Sequence, residues 1–164
     1  MLKSNKALNK RQITILVILR VAIGWHFLYE GITKVLNPNW SSIGYLMDSK
    51  GCMSGIFHSI AQHAGVLAFA DFMNEWGLIL IGLGLILGCF TRIAAYGGML
   101  LLAMYYLSHP PLIGLSYALP SEGSYLIVDK VFIEFFAMWV LALIPTGNYF
   151  GLDRLMNQKV IDSH

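Results

Sequence analysis

Charge is scarce in this sequence. Asp, Glu, Lys and Arg make up 12% of the 164 residues, where soluble domains carry about a quarter. With 57% hydrophobic residues and a mean hydropathy of +0.64, that scarcity excludes an ordinary soluble domain and gives the composition of an integral membrane protein. The net charge of +2 and the scatter of basic residues leave no electrostatic footprint for nucleic acid. Cysteine is nearly missing as well. Cys52 and Cys89 form neither CxxC nor CxxCH, which argues against thiol–disulfide relay, c-type haem and iron–sulfur chemistry carried on this chain. Internal repeats and a GxGxxG motif are also absent. Gly82, Gly84 and Gly88 follow no strand and read as small residues that let helices approach closely.

What the sequence does have is four apolar runs, 13–36, 76–90, 93–107 and 125–145. A bilayer core of ~30 Å needs about 20 helical residues, so the second and third runs must extend into their polar flanks. Spans are predicted at about 13–36, 72–90, 92–108 and 123–145 in one domain covering 1–164, an all-α, four-helix membrane bundle. Thr91 and Arg92 are expected in a tight hairpin, Pro110 and Pro111 stop the third helix, and Pro145 with Gly147 stops the fourth. Lys3, Lys6, Lys10, Arg11, Arg92, Arg154 and Lys159 then fall on one side, which places both termini in the cytoplasm. The first run is too long and too charged for a cleaved signal and lacks a small-x-small site, so it reads as a retained span. Trp40, Tyr45, Trp76, Tyr117 and Tyr125 sit near the opposite boundary, as an aromatic belt requires. Within 55–72, Ile56, Phe57, Ile60, Ala64, Leu67 and Ala68 recur at helical spacing. They predict an amphipathic helix lying on the outer surface or capping the bundle as a lid.

The sharpest signal is ionisable. Arg20, His26, Glu30 and Lys34 lie within the first run and fall on roughly a 120° arc of one helix. A charge at mid-membrane costs roughly 3 kcal/mol, so such a face is expected to meet protein, water or a ligand. A purely structural alternative is a Glu30/Lys34 i,i+4 pair with Arg20 reaching the inner headgroups. With the spans so placed, His26, Glu30, Lys34, Glu75, His109, Asp129, Lys130 and Glu134 converge on the outer half of the bundle. Glu134 falls near the bilayer centre with only Lys130 at i−4 in its own helix. Unpaired it would be neutral, and paired across the bundle with Arg20 or Lys34 it would stay ionised. Glu30, Lys34 and Glu134 are the predicted proton-handling residues. Arg20, His26, Glu75, His109, Asp129 and Lys130 are predicted to orient a ligand. Such a set can pass protons, hydrogen-bond quinone carbonyls or bind a small anion. Bis-histidine haem is disfavoured because only His26 is well inside a span, and no metal is predicted because Cys52, His58 and His63 lack zinc-site spacing.

Three stretches carry a resemblance: Arg20, Gly24, Phe27, Gly31 and Lys34; Glu75, Trp76 and Gly77 leading through Gly88 to Thr91, Arg92, Ala94 and Ala95; and Gly147, Gly151, Leu152 and Asp153. In this order and spacing, over about residues 19–155, the chain resembles the DoxX family of small four-helix membrane proteins. The resemblance implies kinship with the DoxD-type membrane subunit of thiosulfate:quinone oxidoreductase. It therefore implies a quinone-interacting oxidoreductase subunit in a bacterial inner membrane, in contact with lipid, quinone or a small anion. A redox partner subunit or a second copy of the chain would complete it, since the chain has no electron-transfer motif of its own. The second reading is a membrane anchor or assembly module whose polar core only fixes helix packing. The third is a small-solute or proton transporter, for which the chain shows neither inverted repeats nor broken helices.

Overall fold

A computed structural model describes residues 8–118 and 126–161, with side chains as far as 156. Lys3, Lys6, Tyr125 and the start of the fourth predicted span lie outside the described residues, as does the side chain of Lys159. The described chain is helical: α1 Lys10–Val35, α2 Ile43–Met47, α3 Ser54–Gln62, α4 Ala64–Leu87, α5 Thr91–Ser108, α6 Lys130–Leu143, a 3₁₀ turn at Thr146–Asn148, and α7 Leu152–Ile161. Helix α1 packs chiefly on α4, α5 on α6, and α4 on α5. Their shared core holds Ile23, Phe27, Leu78, Leu85, Ala95, Leu102, Met138 and Leu141. Outward, Ile15, Trp25, Leu80, Ile93, Leu100 and Ile133 are mostly exposed while Arg20 is buried, the reverse of an aqueous surface. Helices α1 and α4 are long and apolar enough to cross a membrane.

Close approach of α1 and α4 depends on glycine. A Cβ on Gly82 would lie 2.5 Å from the backbone nitrogen of Leu28 and 2.7 Å from the carbonyl oxygen of Gly24. On Gly31 it would fall 2.7 Å from Ile79 Cγ1. Small residues here let two backbones come within contact distance, the packing mode that membrane helices use in place of a hydrophobic drive.

Several boundaries differ from those predicted. The segment 55–72 is two pieces: α3 ends at Gln62, His63 is extended (φ −104°, ψ 103°), and α4 begins at Ala64, eight residues before the predicted second span. Leu67 and Ala68 thus belong to α4. A one-residue break keeps the apolar period in phase, so periodicity cannot see it. Thr91 and Arg92 are the first residues of α5, and the turn before them is 88–90. Helix α6 starts at Lys130, with Asp129 as N-cap accepting from Phe132 N at 2.7 Å. Glu134 is therefore in the second turn of a short helix, five residues after its N-cap.

The end of the bundle where α4 passes into α5 is tied by one carboxylate. Gly88 ends α4 in the left-handed region (φ 65°), and Phe90 follows at φ 48°, an uncommon conformation for a side chain with a Cβ. Asp153 holds this turn. Its Oδ1 accepts from Phe90 N at 2.7 Å, and its Oδ2 accepts from Thr91 N at 3.1 Å and Thr91 Oγ1 at 2.6 Å. Its own N–H donates to Gly88 O at 2.9 Å. Beneath lies Arg20, 2% exposed, donating through Nη1 to Thr146 Oγ1 at 3.2 Å and through Nη2 to Phe150 O at 2.7 Å. Gly151 has to be glycine here, because a Cβ would sit 2.7 Å from Gly88 O.

Two outcomes follow for stability in detergent. Gly82→Ala should lower it by about 1–3 kcal/mol, the usual cost of overpacking, because the atoms met are backbone. Gly77→Ala, whose nearest neighbour would be at 3.7 Å, should be tolerated. Equal melting of the two variants would dismiss the glycine contact as a constraint. Asp153→Ala should cost about 2–3 kcal/mol by stranding the donors of the 88–91 turn, with Asp153→Asn losing less; chemical unfolding measures both.

Candidate functional site

Residues His26, Glu30 and Lys34 fall at i, i+4 and i+8 on α1, and Lys130 and Glu134 at i, i+4 on α6. Each set therefore shares a helix face, and the two faces meet across a partly open cavity of about 200 Å³. The five side chains and Tyr105 of α5 form its polar lining. Phe27, Leu78, Leu102 and Val131 form its apolar walls. Five of the nine residues predicted for the site thus come together.

The central contact is His26 Nδ1 to Glu134 Oε1 at 2.8 Å. The Glu134 side chain is 11% exposed and that of His26 38%. Of the two states open to Glu134 in the sequence, unpaired or paired with Arg20 or Lys34, neither is found: its partner is His26, and both cations bond elsewhere. Lys34 Nζ donates to Asn74 Oδ1 at 3.1 Å, lies 3.7 Å from Glu30 Oε2, and sits 5.4 Å and 5.9 Å from the ring centroids of Trp40 and Tyr105. Asn74 Nδ2 in turn donates to the Tyr105 hydroxyl at 2.7 Å.

Four predicted ligand-orienting residues are not in the cavity wall. Arg20 is six residues from His26, about 9 Å along the axis, and serves the 146–150 segment described above. Asp129 is spent as the N-cap of α6. Glu75 lies near enough to Lys34 to act on its charge but does not line the cavity. His109 belongs to a separate cluster over the opposite end, stacked on Tyr45 at 3.9 Å with Tyr117 at 4.6 Å. Its Nε2 is 3.9 Å from Asp48 Oδ2, and burial pushes its pKa below the ordinary histidine value, opposed by the Asp48 charge. The Asp48 carboxyl is held low chiefly by the backbone hydrogen bond from Ala118, at 2.7 Å. Helix contact in this region runs through Leu46, Phe57 and Ala61, with Asp71 accepting from Ser41 and Ser42. His58 and His63 each bond a backbone carbonyl, of Ser49 and Ser59.

Two residues of the site were missed from the sequence. Asn74 lies in the polar flank 71–75 that leads into the second apolar run, on the α4 stripe Asp71, Asn74, Leu78. Tyr105 continues the small and apolar stripe Ala95, Gly98, Leu102 on α5. In both cases the spacing carried the signal.

A protein-family model described as DoxX matches residues 15–110. No curated protein and no solved structure matches the chain. The matched stretch includes Arg20, His26, Glu30, Lys34, Asn74 and Tyr105, whereas Lys130, Glu134 and Asp153 lie beyond it. Covering more than half of the sequence, and joined by apolar outward helix faces around a buried arginine, the match leads to one conclusion: the chain is a membrane protein and belongs to the DoxX family.

Proposed function

We propose that the cavity between α1, α5 and α6 is a quinone site, and that the chain is the quinone-interacting membrane subunit of an oxidoreductase in a bacterial inner membrane. The observation that carries this reading is the His26–Glu134 pair at 2.8 Å facing apolar walls. Kinship with redox-associated membrane proteins supports it. A volume of about 200 Å³ is below the ~300–1,000 Å³ typical of pockets that enclose drug-sized ligands. It suits a single-ring headgroup whose tail runs out between helices into lipid. A small anion such as thiosulfate fits less well, because the formal charges of Glu30 and Glu134 balance those of Lys34 and Lys130.

With Glu134 accepting from Nδ1–H, the second ring nitrogen of His26 is left as a proton acceptor. It can take a hydroxyl proton from a bound quinol, and Glu30 can take the second. The two electrons released with those protons go to a redox partner subunit. Four membrane crossings by α1, α4, α5 and α6 with both termini cytoplasmic would place α2, α3 and the cavity toward the outer side. This orientation belongs to the proposal.

A quinone should co-purify with the parent protein and appear in mass spectra of its lipid extract. Glu134→Gln and His26→Ala should each reduce its retention, or the affinity for an added short-chain ubiquinone, on the order of tenfold or more, a loss of at least ~1.4 kcal/mol, while melting within a few degrees of the parent. If the parent neither retains nor binds quinone and both variants simply melt early, the anchor or assembly reading replaces this one.

The exposed Cys52 and the half-buried Cys89 report the orientation. In intact cells an impermeant maleimide should label Cys52 and spare Cys89 until the membrane is broken. Labelling of Cys89 alone would invert the topology.

A further inference from the structure

The hydrogen-bond chain from Lys34 to Tyr105 has a direction fixed by chemistry. An ammonium group has donors only, so the Asn74 atom 3.1 Å from Lys34 Nζ must be the amide oxygen. The amide nitrogen then faces Tyr105 and donates to its hydroxyl at 2.7 Å. One lone pair of that hydroxyl is thereby used, and its proton is left to be given away. Among the described residues it meets no acceptor. Tyr45 donates to the main-chain carbonyl of Tyr105 at 3.3 Å, not to its hydroxyl. Tyr105 lines the cavity, where an unmade donor is costly.

We propose that Tyr105, set as a donor by Asn74, holds one carbonyl oxygen of the ligand, and that the cavity is polarised between a donor end at Tyr105 and Lys34 and a proton-accepting end at His26 and Glu134. This inference rests on the quinone reading. On α1 the two ends are eight residues apart, about 12 Å of helix axis, with their side chains reaching inward from both ends. A para-quinone carries oxygens at opposite ends of one ring. The oxygen at Tyr105 accepts that hydrogen bond in both redox states and exchanges its own proton with Glu30, which lies beside Lys34, while the oxygen at His26 exchanges its proton with the imidazole. Tyr105 is thus a ligand-positioning residue that decides which way round the ring sits, and Asn74 acts through it.

Two substitutions in the full-length protein test this, with a carbonyl-¹³C-labelled short-chain ubiquinone as probe. Infrared difference spectra of the parent should show the two ring carbonyls split, one shifted down by hydrogen bonding. Tyr105→Phe should abolish that downshift and weaken binding about 3- to 10-fold, the range expected for one hydrogen bond. Asn74→Asp is the decisive variant, because it leaves Tyr105 in place. Its carboxylate accepts from both Lys34 and the Tyr105 hydroxyl, turning the phenolic proton away from the cavity, so the downshift should disappear here too. If Tyr105→Phe does not fold, the parent spectrum and Asn74→Asp decide between them. Quinone binding by the parent with an unshifted carbonyl pair, or a downshift that survives either substitution, overturns the role of Tyr105 and leaves the quinone site standing. A parent protein that binds no quinone overturns the site itself.

Discussion

A guanidinium inside an apolar bundle needs hydrogen-bond acceptors, and the two that the terminal nitrogens of Arg20 find organise one whole end of this molecule. The side chain leaves α1 and reaches Thr146 and the carbonyl of Phe150. This brings the chain that follows α6 back under the turn between α4 and α5. Asp153 arrives with it and closes that turn from below. Five segments meet at this point, and no hydrophobic contact could fix their order so specifically, since lipid is as apolar as the helix surfaces. Five of the residues involved, Arg20, Gly88, Thr91, Gly151 and Asp153, are also ones on which the family resemblance rests.

From that end the glycine seam carries the register along the bundle. Contact of Gly24 and Gly31 with the α4 backbone around Gly82 and Ile79 sets the axial position of α1 against α4. Lys34 thereby reaches Asn74, and Asn74 reaches Tyr105 on the next helix. The site is consequently built on helices held by backbone contact, not on loops, a placement that keeps polar groups oriented without a ligand.

Much of this was legible in the sequence because membrane solvent simplifies the problem. Apolar runs located the principal helices, prolines 110, 111 and 145 marked two of their ends, and ionisable residues inside the runs marked the cavity. His26, Glu30, Lys34, Lys130 and Glu134 were found because a charge among apolar neighbours needs a reason. What could not be read was partnership. Depth along a helix follows from counting residues, but whether Glu134 meets Lys34 or His26 depends on rotation and axial offset, which the glycine contacts decide. Arg20 shares an arc with Lys34 yet lies nearly four turns away, so facing the same way did not mean sharing a site. The break at His63 was invisible for a related reason, since one extended residue leaves the apolar phase undisturbed. Asn74 and Tyr105 carry no net charge and so raised no alarm.

The shortness of α6 bears on how protons travel. Its 14 residues rise about 21 Å, roughly 9 Å less than a typical hydrocarbon layer. Set in a bilayer, a helix this short draws the headgroup region inward or tilts its neighbours to match. Under the proposed four-span arrangement, a headgroup region drawn in as far as Asp129 would stand five residues, little more than one helical turn, from the His26–Glu134 pair. Hydrophobic mismatch would then serve as a conduit. A bundle so placed would bring the aqueous phase down to its buried acid, and no chain of relay residues would have to lead up to it.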